Sequence, residues 1–207
     1  IMKKIKHIEL FGFPGSGKTT ISTLISENNK KISTKYRVES FFEINVFKLL
    51  YIILKYIKLL FFLFFSINTK MFSFNIKKYK QIIGFFIDLT IQLYFYEFTK
   101  KIFISQHGFI QITTQSDIIR EYFIHNEKKL IFYLDNIPKK ESLYIYLDVK
   151  KEISIKRDQE RVIKIKKEVY EESEILFKMI LEKLKVEMIK NNSNLNKTLQ
   201  SILKIYK

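Results

Sequence analysis

Gly12-Phe13-Pro14-Gly15-Ser16-Gly17-Lys18-Thr19 fits the pattern G-x-x-x-x-G-K-[ST] and holds three of the five glycines and one of the two prolines in the chain. A loop this short wraps a phosphate chain only by turning backbone N–H groups inward. It therefore needs glycine where a side chain would block the approach or where φ must be positive. Gly12, Gly15 and Gly17 meet that need. Lys18 then brings positive charge to the outer phosphates, and the Thr19 hydroxyl is placed to ligate the magnesium ion that rides on them. Phe13, Pro14, Ser16 and Thr20 complete the candidate binding segment.

The flanks carry the order that such a loop requires. Ile5 to Phe11 reads as a strand with apolar Ile8, Leu10 and Phe11 near its end. Thr19 to Ser26 places Ile21, Leu24 and Ile25 at helical spacing, so the loop opens onto a helix N-terminus whose dipole favours anions.

At 207 residues the chain suits one α/β domain with an inserted helical region at about 43–100 and a lid at about 150–167. The absence of cysteine excludes disulfides, thiolate metal sites and a cysteine nucleophile. Ile1-Met2-Lys3-Lys4 leads straight into the first strand, which leaves no room for a signal peptide and makes the cytoplasm the expected location. The formal charge of +16 is spread along the whole length in a chain crowded with Ile, Lys, Phe, Asn and Tyr. We read it as a solvated surface with no specific nucleic-acid partner. Arginine is scarce and so informative: Arg37, Arg120, Arg157 and Arg161 are the whole set.

Ile32 to Glu39 reads as a second strand, ending near Arg37, Glu39 and Glu43, polar candidates for the mouth of a site. Residues 44–67 form an apolar stretch in which Asn45, Lys48, Lys55 and Lys58 share one narrow helical face. Its longest uncharged run, Leu59 to Thr69, falls short of the ~20 residues of a spanning helix. Such a helix packs in the core or against a second copy in a homodimer; contact with a membrane surface is the alternative. Helices are expected over Tyr79–Phe98, Ser116–Leu134, Glu171–Leu184 and Leu195–Tyr206, and strands over Lys101–Ser105, Leu143–Val149 and Lys185–Ile189. Arg157, Arg161 and Lys164 recur at i, i+4 and i+7, one basic face on the helical segment after residue 150. Alternating strands and helices predict a parallel sheet with helices on both faces and a ligand at the carboxyl ends of the strands.

This order of parts resembles the P-loop nucleoside and nucleotide kinases, most closely the thymidylate-kinase-like proteins. Gly12 to Thr20 is similar to their phosphate loop, and Gln106-His107-Gly108-Phe109-Ile110-Gln111 sits where many relatives have an Asp-Glu-Gly-Phe-x-Gln type segment. Ile137-Pro138, then Leu143 to Val149, then Arg157 and Arg161 resemble the strand and Arg-bearing lid. Val186 to Ile189 with Asn191 to Asn194 resembles the last strand and the loop near the adenine. The resemblance implies a three-layer α/β/α P-loop NTPase fold with a mainly parallel five-stranded sheet. It further implies ATP and Mg2+ as cofactors and phosphoryl transfer to a nucleoside, nucleoside monophosphate or sugar derivative. Lys18, Arg157 and Arg161 would stabilise charge, and Arg37, Glu43, Gln106 and Arg120 would face the acceptor. One departure stands out. An acidic residue is expected after the third strand, and this chain has Ser105, Gln106 and His107 there. His107 is then the candidate base, with Glu39, Glu43 and Asp117 the carboxylates left to replace the missing one. The alternative function is a nucleotide-binding regulatory or assembly protein with weak or no transfer.

Overall fold

The computed structural model describes residues 5–29, 32–34, 45–70, 76–159, 165–192 and 195–206. Its centre is a parallel sheet of five strands: β1 (His7–Phe11), β2 (Ile32–Thr34), β3 (Ile102–Ser105), β4 (Ser142–Asp148) and β5 (Glu187–Lys190), in the order β2-β3-β1-β4-β5. All four neighbouring pairs run parallel, with His7 level with Phe103 on one side and Ser142 on the other. β1 is thus the middle strand and is buried at every position, as expected when helices cover both faces of a sheet.

The strand pleat sorts the core into two layers. Ile8 and Leu10 of β1, with Ile145 and Leu147 of β4, pack on Ile21 and Ile25 of helix α1 (Lys18–Asn28) and on Ile202 of helix α10 (Leu195–Tyr206). The opposite face carries Phe11, Phe103, Tyr144 and Tyr146 and meets a larger aromatic core. That core is supplied by α4 (Ile76–Phe98), α6 (Asp117–Ile124), α7 (Glu127–Asn136) and α9 (Lys167–Lys183).

Two stretches expected as single helices are each broken. The first is α2 (Val46–Lys55) followed by α3 (Ile57–Lys70), which meet at a bend of 73°. Asn45 caps α2 by accepting from the backbone N–H groups of Phe47 and Lys48. At the break, the Tyr56 hydroxyl (2.6 Å) and the Lys55 ammonium (2.7 Å) both donate to Glu97 of α4, which ties the corner to that helix. The second break separates α6 from α7. His125 and the Asn126 amide donate back to the carbonyls of Glu121 and Tyr122, satisfying the open end of α6. Among the described residues no single helix is long and apolar enough to cross a membrane; only the bent pair α2–α3 has the length and composition, taken together.

Candidate nucleotide-binding site

Residues 12–17 leave the carboxyl end of β1 and enter α1 through Gly17. Gly12, Gly15 and Gly17 all have positive φ, 148°, 79° and 89°. At Gly15 a β-carbon would also strike the carbonyl oxygen of Ser154 in α8 (Lys151–Gln159), so glycine is required there twice over.

Five successive loop carbonyls, those of residues 12–16, each accept from a side chain. Lys18 Nζ donates to Gly12 O at 2.9 Å and Phe13 O at 2.8 Å. The Ser154 hydroxyl donates to Pro14 O, Arg157 Nη1 reaches Gly15 O at 3.5 Å, and Asn191 Nδ2 donates to Ser16 O at 2.8 Å. Within the loop, the Gly12 N–H donates to Gln111 Oε1 and the Ser16 N–H to Phe13 O. The braces come from three parts of the fold. Asn191 follows β5, extends the sheet through its own N–H to Asp148 O, and is itself held by the Thr198 hydroxyl.

A cavity of about 500 Å³ opens beside this loop, within the usual range for a small-molecule site. Lys18, Thr19 and Thr20 line one wall, and Gln106, His107 and Gln111 another. The Thr19 hydroxyl donates to Gln106 Oε1, so the hydroxyl expected on magnesium and the amide after β3 converge. Among the described residues there is no cluster of three or more acidic or histidine side chains that could hold a metal. The Thr19 hydroxyl at the cavity wall has the oxygen chemistry that an ion carried on phosphates would take.

His107 is exposed at the cavity wall, with Nδ1 against Gln115 Nε2 of the short helix α5 (Ile112–Gln115). His107 is thus placed at the cavity wall, where the sequence expected a candidate base.

Arg120 lines the cavity yet is buried, with three groups engaged: Glu172 (2.7 Å), Thr114 O (2.8 Å) and Asp117 (2.8 Å). These contacts tie α5, α6 and α9 into one wall of the cavity. Replacing Arg120 with methionine strands the buried Thr114 carbonyl, and we expect a loss of about 2 kcal/mol in unfolding free energy by urea titration. Arg157 does not line the cavity among the described residues. Besides Gly15 O, its guanidinium donates to Asn191 O (3.3 Å) and Asn192 O (3.1 Å), a brace between the phosphate loop and the β5–α10 turn. Arg37, Glu39, Glu43, Arg161, Lys164, Ser193 and Asn194 lie outside the described residues.

The sequence reading passed over Glu9. Its carboxyl is fully buried in β1, and Oε1 accepts the N–H groups of Ile110 (2.7 Å) and Gln111 (2.8 Å). Gln111 Oε1 in turn accepts the Gly12 N–H at 3.1 Å, so one chain of contacts links β1, the segment after β3 and the phosphate loop. A methyl group at Gly108 would run into the Glu9 carboxyl carbon, which explains the glycine there. Burial pushes the Glu9 carboxyl up to about 8, against the lowering pull of the Gln111 and Ile110 amides. Glu9 lies on the adjacent strand level with Ser105 and is buried. A glutamate within an apolar run, Ile8-Glu9-Leu10-Phe11, was the signal available. Ser105 itself is turned to His7, whose Nε2 lies 2.9 Å from its hydroxyl.

No protein-family model and no curated protein sequence matches the chain. Among solved structures it is similar to deoxyadenosine kinase from M. mycoides with bound dATP, at TM-score 0.54 and 18% identity over 97% of this chain and 98% of that one. The same kinase with bound dCTP matches at TM-score 0.53 and 18% identity, again over 97% and 98%. Thymidylate kinase from Candida albicans matches at TM-score 0.54 and 13% identity, over 98% of this chain and 91% of that one. With its parallel sheet, its glycine loop after the middle strand and helices on both faces, the chain has the fold of these P-loop nucleoside and nucleotide kinases.

Proposed function

We propose that the chain is an ATP-dependent kinase that transfers the γ-phosphoryl group to a hydroxyl or phosphate of a small acceptor, with a nucleoside or nucleoside monophosphate ahead of a sugar derivative. The observation that carries this reading is the glycine loop, braced at its carbonyls by Lys18, Ser154 and Asn191 and opening on a cavity of about 500 Å³. The nucleoside preference follows from the fold shared with deoxyadenosine and thymidylate kinases.

The loop N–H groups and the Lys18 ammonium would hold the β- and γ-phosphates and keep the transferring group in line. The Thr19 hydroxyl would help hold Mg2+, which would supply charge neutralisation there. His107, exposed at the cavity wall, is the candidate base for the acceptor hydroxyl. Asp117, which lines the acceptor side, orients the attacking hydroxyl; a loose transition state demands little of a base. Arg161 would stabilise charge on the transferring group. The cytoplasm, where ATP is abundant, is the place for this reaction.

One observation favours a second reading, a nucleotide-binding regulatory protein with little transfer. Among the described residues lining the cavity, Asp117 is the sole carboxylate, and it is already committed to Arg120. An ATP-consumption screen with Mg2+ against nucleosides, nucleoside monophosphates and sugars separates the two. Turnover with one acceptor class supports the kinase, whereas tight ATP binding without consumption across the panel supports the regulator.

A further inference from the structure

Helices α2 and α3 put Ile52, Leu59, Leu63 and Ile67 into the core and leave a second apolar face exposed. Phe47, Leu50, Tyr51 and Leu54 recur at i, i+3, i+4 and i+7 on α2, and all are exposed; Phe47 is 83% accessible and Leu54 60%. On α3 the stripe Ile57, Phe61, Phe64 and Phe65 is likewise exposed, while Leu59, Leu63 and Ile67 face inward. Ring contacts run from Phe61 to Phe65 (4.3 Å), Phe65 to Phe64 (5.8 Å) and Phe64 to Phe86 of α4 (5.6 Å), so the patch is continuous onto α4. There Ile76, Tyr79, Ile83 and Ile87 extend it along one helical face. Exposed apolar surface of this extent marks an interaction site. None of the described residues lining the nucleotide cavity comes from these helices.

Charge decides the occupant. Residues 44–87 contain no Asp or Glu, but seven lysines, at 48, 55, 58, 70, 77, 78 and 80. Lys58, Lys77 and Lys80 are exposed beside the apolar stripes, as is Lys55, which reaches Glu97. A twofold interface buries the same patch from both copies, which would set lysines against lysines with no acid to pair them. A bilayer rich in anionic lipid supplies acyl chains for the aromatic stripes and phosphates for the lysines at once. Neither helix alone spans the hydrocarbon, and the 73° bend keeps the pair from acting as one rod, so the fitting placement is in the plane of the interface.

We propose that α2, α3 and the first half of α4 form a docking face for an anionic membrane surface, seated in the interface without crossing it.

The test is co-sedimentation of the full chain with phosphatidylcholine vesicles that contain or lack phosphatidylglycerol. Binding should be at least roughly tenfold stronger to the anionic vesicles, since each engaged lysine is worth roughly fivefold. Phe47→Glu with Phe61→Glu should abolish binding to either vesicle, with circular dichroism unchanged because both side chains are exposed. Lys58→Glu, Lys77→Glu and Lys80→Glu together should remove the anionic preference. Lys140→Glu, Lys185→Glu and Lys204→Glu, an equal charge change away from the patch, should leave it. The proposal is overturned by absence of binding to anionic vesicles, or by an equal loss in the control triple variant. It is overturned as well by resistance to alkaline extraction, which would mean a span. A dimer in light scattering that the two phenylalanine changes dissociate, with no vesicle binding by either form, would assign the patch to a second copy instead.

Discussion

Lys18→Ala is expected to lower turnover on the best acceptor by at least about a thousandfold while leaving the unfolding midpoint nearly unchanged. The ammonium bridges the carbonyls of Gly12 and Phe13, two loop groups that spread apart only a few residues after β1. In that position it is the one lysine held by the loop that is to cradle the β- and γ-phosphates. Its charge counts most when negative charge shifts between those oxygens, so the loss should fall on kcat as well as on ATP affinity. Removing two hydrogen bonds from a partly exposed group costs about 1 kcal/mol of stability, small beside the catalytic effect. Lys18→Arg should fail too, because a planar fork does not replace a compact point charge at the end of a flexible stem. Acceptor-dependent ATP consumption, read beside urea unfolding of the same proteins, checks both halves. Unchanged turnover in Lys18→Ala would remove the loop from the chemistry and the kinase assignment with it.

The phosphate loop was legible because it is a backbone motif whose demands fall on residue types. Only glycine tolerates the positive φ angles at 12, 15 and 17, so the conformation is written directly in the letters. The parallel sheet was legible for a similar reason: strands buried on both faces are apolar runs, and β1, β3 and β4 read as such. The braces on the loop are another matter. Ser154, Arg157 and Asn191 reach it from more than 130 residues away, and no local pattern distinguishes a side chain that will accept that task from one that will face solvent. Arg157 in particular sits on a helix with a basic face, and only the fold shows that its guanidinium turns to three carbonyls. The corner at Tyr56 was hidden likewise, because its anchor, Glu97, lies on another helix. Glu9 stands in the sequence as a carboxylate within an apolar run, and only the sheet register sets it level with Ser105 on the adjacent strand.

Glu9→Gln should abolish a stability loss that the wild type suffers as pH rises. In the folded chain the Glu9 carboxyl is pushed up to about 8 from an ordinary 4.5, chiefly by burial. Between those values the folded state keeps a proton that the unfolded chain has released, so the folded state binds more protons and stability falls with rising pH. The contribution is complete below pH 4.5 and is lost as pH climbs through about 8. A shift of this size is worth on the order of 4 kcal/mol for a sealed site. His7, two residues away on the same face of β1, runs the other way: burial lowers it from 6.5 to about 3. Its contribution is present above 6.5 and lost as pH falls below that value. The raw pH profile therefore mixes two opposed slopes, and the difference between wild type and Glu9→Gln isolates the carboxyl. Glutamine keeps an acceptor for the Ile110 and Gln111 amides, so it should match the wild type near pH 5 and exceed it increasingly toward pH 8 in urea titrations. Glu9→Ala leaves both amides without their acceptor and should be destabilised at every pH, and it should weaken ATP binding as Gln111 loosens its hold on Gly12. If wild type and Glu9→Gln run parallel across that range, the carboxyl is ionised in the fold, and the linkage from β1 to the phosphate loop rests on charge.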